Sequence, residues 1–153
     1  MAETKCGFND SATSSGSDLL MSLGPTMGVD IGFDKDYNPN ATPKTIPVPA
    51  IKGIVALVDT GASQSCIDNL LASQLGLPIV DKQPISGTIG THMVNVYLAQ
   101  IHVPNLGFTI YGTFFGVDLA AGGQVHKALI GRTFLRNFTM VYEGKTGTVT
   151  ISS

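Results

Sequence analysis

The run Leu57-Val58-Asp59-Thr60-Gly61-Ala62 places one carboxylate at the end of an apolar stretch, inside a tight Thr-Gly turn. Desolvating a charge at the end of a buried strand is costly unless something compensates. One compensation is chemistry. A carboxylate held in this way takes a proton from water while a second acid protonates the carbonyl that the water attacks. Two carboxylates about 3 Å apart cannot both ionise, so such a pair shares one proton. Gly61 lets the backbone turn and approach a facing loop closely, and Thr60 carries a hydroxyl with which to bond across to it. The plainer alternative is an aspartate in an ordinary turn after a strand, satisfied by the Thr60 and Gly61 amides. Asp59 heads the only Asp-Thr/Ser-Gly string: Asp118 precedes Leu119, and Asp10 precedes Ser11-Ala12. A paired-carboxylate site therefore needs a second copy of the chain, with a twofold axis between the two Asp59 side chains.

Elements that position this loop are visible on both sides of it. Thr26 to Phe33 is expected as a strand, Ile46 to Ala50 as a proline-interrupted edge segment, and Ile54 to Val58 as a strand buried on both faces. Asp68 is suited to cap a helix over Asn69 to Leu75, with Gly76 just past its end and Pro78 beyond. Gln83 to Val103 reads as a hairpin turning at Gly87-Thr88-Ile89-Gly90, with a long second arm rich in strand-forming residues. Phe108 to Phe115 is a further strand, and Ala128-Leu129-Ile130 is a second apolar run stopped by Gly131 and followed by Arg132. A short helix at Thr133 to Asn137 and a last hairpin, Phe138 to Tyr142 with Thr148 to Ile151, complete the pattern. Residues 1–24 are rich in Ser, Gly, Asp and Thr and are expected to form a mobile tail, leaving 25–153 as the folded domain.

LVDTGAS, ISGTIG and ALIGRTFL occur in that order. With these three elements the chain, from about Thr26 to Ile151, resembles the retropepsin-like aspartic proteases, the family of retroviral and retrotransposon proteases and their cellular and bacterial relatives. The resemblance implies an all-β, single-lobe acid protease fold with one or two short helices, acting as a homodimeric aspartic endopeptidase. Asp59 would be catalytic, with Thr60, Gly61 and Ala62 supporting its loop. Ile130 and Gly131 would cross beneath that loop, with Arg132 following. Gly87, Thr88, Ile89 and Gly90 would form a flap over an extended peptide bound as an added strand. Thr148 to Ser153 is the candidate segment for holding the dimer. Many retroviral members carry Asp where this chain has Ser63, paired with the arginine; Arg132 is therefore expected to find a backbone carbonyl or another acid. Ala62 stands where the pepsin-like branch often has Ser, so the carboxylates lose a hydroxyl donor, and the implied pH optimum is about 4 to 6. A different class of reading is a non-catalytic member of the same fold, serving dimerisation or peptide binding.

Bulk properties bound these readings. The chain has 153 residues, enough for one domain with a sizeable core. Eighteen glycines, eight prolines and only two glutamates, Glu3 and Glu143, argue for strands and turns over long helices. A net charge of −2 supplies no basic stripe for nucleic acid. His92, His102 and His126 lack ligand spacing, so no metal or other cofactor is expected. Cys6 and Cys66 are read as free thiols, and Cys66 lies on an apolar stretch unsuited to a thiol nucleophile. No stretch has signal-peptide or membrane-span character, which points to a cytoplasmic location.

Overall fold

The computed structural model describes residues 1–87 and 90–153, so Thr88 and Ile89 of the expected flap lie outside the described residues. About 44% of the chain is strand and 14% helix, in agreement with the all-β expectation. The chain runs β1 (Glu3–Lys5), α1 (Gly16–Leu23), β2 (Thr26–Gly32), β3 (Ile51–Val58), β4 (Cys66–Asp68), α2 (Asn69–Gln74), β5 (Ile79–Gly87) and β6 (Gly90–Val103). A 3-10 turn at Pro104–Leu106 leads to β7 (Phe108–Val117), β8 (Ala128–Ile130), α3 (Arg132–Leu135), β9 (Thr139–Glu143) and β10 (Thr148–Ser152).

Seven strands form one sheet in the order β2-β3-β8-β4-β7-β6-β5, and β2 also pairs with β6. Parallel pairing of β3 with β8 sets Val58 opposite Ile130, bringing the ends of the two apolar runs side by side. β4 pairs antiparallel with β8 and parallel with β7, so both runs sit between other strands. Inward residues from every layer, among them Val29, Ile31, Ala56, Ile67, Ala99, Ile101, Ile130 and Phe134, meet in one core. Phe108 packs edge-on against Phe134 and Phe138, with ring centroids 5.6 and 5.0 Å away.

Asp68 caps α2 as its position predicts: the side chain accepts from Leu71 N, and Gly76 follows with φ +65°. Three expectations differ from the structure. Ile54 to Val58 is not buried on both faces. Ala56 and Val58 are buried, but Val55 is 41% exposed and lines a cleft of about 330 Å3 with Phe8, Leu23 and His126. Ile46 to Ala50 forms no strand, and is held by Val48 N on the Asp34 carboxylate and Ala50 N on Ile31 O. Residues 1–24 are not a structureless tail. β1 pairs with β10, Cys6 N donates to Val149 O, Thr26 N donates to Cys6 O, and Ser15 caps α1 through Asp18 N. Cys6 and Leu20 are each only 1% exposed. Composition hid this because a three-residue strand has no period to read, and two anchors suffice to bind a polar segment.

The last hairpin is present, but β10 lies between β1 and β9. Among the described residues no helix is long and apolar enough to cross a membrane.

Candidate active site

Asp59 leaves β3 at the point where β8 ends beside it. Asp59 N donates to Ile130 O at 2.9 Å, continuing the parallel ladder by one rung. The chain then turns sharply: Gly61 N donates to Asp59 Oδ1 at 2.9 Å and Ala62 N to Asp59 O at 3.3 Å. Asp59 is half-buried, while Thr60 and Gly61 beside it are exposed. Asp59 Oδ1 is oriented by one backbone amide, that of Gly61.

Residues Ile130 to Thr133 bond along this loop. Arg132 N donates to Ala62 O at 2.9 Å and Thr133 N to Ser63 O at 3.0 Å. Gly131 is required by close approach: a Cβ there would lie 2.5 Å from Gln64 O and 2.9 Å from Ala62 O. The Arg132 guanidinium donates to Thr60 O at 2.8 Å. With Ser63 in place of an acid, the arginine has found a backbone carbonyl, one of the two partners expected for it.

Ser65 was not singled out in the sequence, and it has a definite task. Its hydroxyl, in a residue only 3% exposed, accepts from Gly131 N at 3.0 Å and satisfies an amide that has no strand partner there. A serine between the turn and an apolar run is too common a pattern to flag this. Cys66 and His126 also lie within the electrostatic reach of Asp59. Burial pushes the Cys66 thiol up to about 11, and the Asp59 charge pushes the same way. Burial holds His126 below the usual imidazole range, against the opposing pull of Asp59.

Gly87 and Gly90 are paired across the tip of the β5–β6 hairpin, and Gly90 has φ +110°, a conformation that other residues rarely adopt. From Asp81 to Pro84 and from Gly90 to Met93 both arms are exposed. No cluster of three or more His, Cys, Asp or Glu side chains able to hold a metal occurs among the described residues.

The arrangement is thus one oriented carboxylate on a braced loop, with a long hairpin in the same sheet. Comparisons with known proteins bear on the family and the fold. No curated protein matches the chain. Among solved structures, the retropepsin-like aspartic protease from Rickettsia conorii is 13% identical, with a TM-score of 0.53 over 97% of this chain and 89% of that one. The EIAV protease complexed with the inhibitor HBY-793 is 19% identical, with a TM-score of 0.47 over 74% and 86%. The retroviral protease-like domain of Ddi1 from Leishmania major is 18% identical, with a TM-score of 0.43 over 82% and 87%. A family profile described as aspartyl protease matches residues 52–134, more than half of the chain, including the Asp59 turn, the hairpin and Ile130-Gly131-Arg132. The chain therefore belongs to the aspartyl protease family, and its fold is retropepsin-like.

Proposed function

We propose that the protein is a homodimeric aspartic endopeptidase in which Asp59 from each of two copies activates one water. The observation that carries this reading is the braced Asp59 turn itself. A single half-buried carboxylate, oriented by Gly61 N on a loop held by Ile130, Arg132 and Thr133, is half of a paired site. Across a twofold axis the two carboxylates share a proton. The ionised one takes a proton from water as the oxygen attacks the peptide carbonyl, and the protonated one donates to the carbonyl oxygen. The carboxyl that took the water's proton then passes it to the nitrogen, and collapse of the tetrahedral adduct expels the neutral amine.

An extended peptide would bind as an added strand, with the Gly87–Gly90 end of the hairpin closing over it as a flap. The route to the dimer differs from the one implied by Thr148 to Ser153. β10 already has β1 on one edge and β9 on the other, so it has no edge to offer a second copy. Asn105 Nδ2 reaches Thr4 Oγ1 of β1 at 3.2 Å, while β9 carries Val141 and Tyr142, each 52% exposed. The β9 edge is the better place for the second copy to pair.

Asp59→Asn is the deciding experiment. It keeps the shape and the Gly61 amide contact but removes the shared proton, so peptide cleavage should fall at least a thousandfold with fold and dimer unchanged. Retained cleavage in that variant rejects the mechanism. A wild-type chain that sediments as a monomer and cleaves no peptide from pH 3 to 8, with or without a pepstatin-type inhibitor, supports the non-catalytic reading instead.

A further inference from the structure

We propose that Asn69 is a positioning residue that fastens the base of the β5–β6 hairpin to the loop leaving β7, and so governs how the hairpin closes on substrate. Asn69 is the first residue of α2. Its Oδ1 accepts from the Tyr97 hydroxyl at 2.9 Å, and its Nδ2 donates to Asp118 Oδ1 at 2.8 Å. The Tyr97 oxygen in turn accepts from Asn95 Nδ2 at 3.3 Å. Tyr97 and Asn95 belong to the second arm of the hairpin, and Asp118 opens the loop that returns to β8. One residue before Asn69, the buried Asp68 carboxylate accepts from Leu119 N at 2.9 Å and Ala120 N at 3.0 Å. Two adjacent residues thus hold the start of that loop, and one of them also holds the hairpin.

Space is reserved for this junction. A Cβ at Gly116 would overlap Asn69 Oδ1 and come within 2.7 Å of Tyr97 Cε2. Beside the junction lies a cavity of about 360 Å3, lined by Ile85, His92, Met93 and Asn95 of the hairpin together with Asn69 and Asp118. The exposed part of the arms therefore lies over a space, and the Tyr97–Asn69–Asp118 chain is their polar anchor. The amide suits the position because it accepts from one neighbour and donates to the other. An aspartate there would set like charges together, and a leucine would leave the hydroxyl of a tyrosine only 3% exposed without its acceptor.

The cleavage part of the test rests on the endopeptidase reading; the exchange part does not. In the full chain, Tyr97→Phe deletes the hydroxyl and keeps the ring, and Asn69→Ala removes both bonds. Hydrogen exchange should accelerate tenfold or more in both arms, residues 79–87 and 90–97, with β9 and β10 unchanged. For a peptide substrate, KM should rise three- to tenfold with kcat within twofold of wild type. Combining the two substitutions should add little to Asn69→Ala alone, since both act on one chain of bonds. Exchange that stays unchanged in the arms, or rises equally in β9 and β10, overturns the proposal, as does a loss confined to kcat. If the wild-type chain cleaves nothing, the endopeptidase reading fails while the exchange result still decides the role of Asn69.

Discussion

The Asp59 loop and the β5–β6 hairpin are built by opposite means. Beyond the turn's own Gly61 and Ala62 amides, the braces on the loop come from far along the chain: Arg132 reaches Thr60 and Gly131 reaches Ser65 across sequence separations of 72 and 66 residues. The hairpin's rungs are local, from Ile79 opposite Tyr97 to Gly87 opposite Gly90. Contacts that close long loops form only when the whole sheet is assembled, so the loop is as stable as the fold. Local rungs on exposed arms open without disturbing the rest. Under the proposed function, a carboxylate meeting its twin would need the first kind of construction, and a cover admitting a peptide the second.

Breaking the loop should cost most. Gly131→Ala forces a methyl against Gln64 O and Ala62 O, both backbone atoms that cannot swing aside. It should destabilise the chain by about 3 kcal/mol or more in denaturant titration. Ser65→Ala leaves Gly131 N buried without an acceptor and should cost about 2 kcal/mol in the same measurement.

Alkaline pH offers a graded test of the same region. Burial pushes both the Cys6 and the Cys66 thiols from 9.0 up to about 11. The unfolded chain therefore loses these protons first, so stability is full below pH about 9 and falls as pH rises towards about 11. The loss should be on the order of 2 kcal/mol for each thiol, and Cys66→Ala should flatten part of the slope whatever its effect at neutral pH.

Arg132→Ala removes an exposed bond to Thr60 O and should cost about 1 kcal/mol. Its effect on cleavage should exceed its effect on stability, because the carbonyl it holds belongs to the turn carrying Asp59. At the hairpin end, Gly90→Ala must adopt φ near +110°, yet the strain falls on a segment that opens on its own. Thermal midpoints should shift by no more than about 2 °C, with the change appearing in KM. A fall in global stability equal to that of Ser65→Ala would show that the hairpin is as firmly built as the loop, and the contrast between them would be lost.

The parts of the site that were legible in the sequence are those whose chemistry is local. Asp59-Thr60-Gly61 announces a carboxylate in a tight turn, because turn residues act on neighbours two or three positions away. Asp68 before Asn69 announces a cap for the same reason, and the Gly87 and Gly90 tip precedes an arm rich in strand-forming residues. Ile130-Gly131-Arg132 was recognisable as an element, but the atoms that Gly131 must avoid belong to Ala62 and Gln64.

By itself, then, the sequence determined the local pieces: the Asp59 turn, the second apolar run ending in Gly131, the capped helix α2 and the glycine-tipped hairpin. Tertiary structure alone decided that Arg132 bonds Thr60 O, that the capping Asp68 also holds Leu119 and Ala120, and that β1 claims one edge of β10. The physical reason is that a strand's alternation specifies which faces are buried but not which edge meets which partner. A backbone carbonyl such as Thr60 O likewise looks the same at every position until the fold brings an arginine to it.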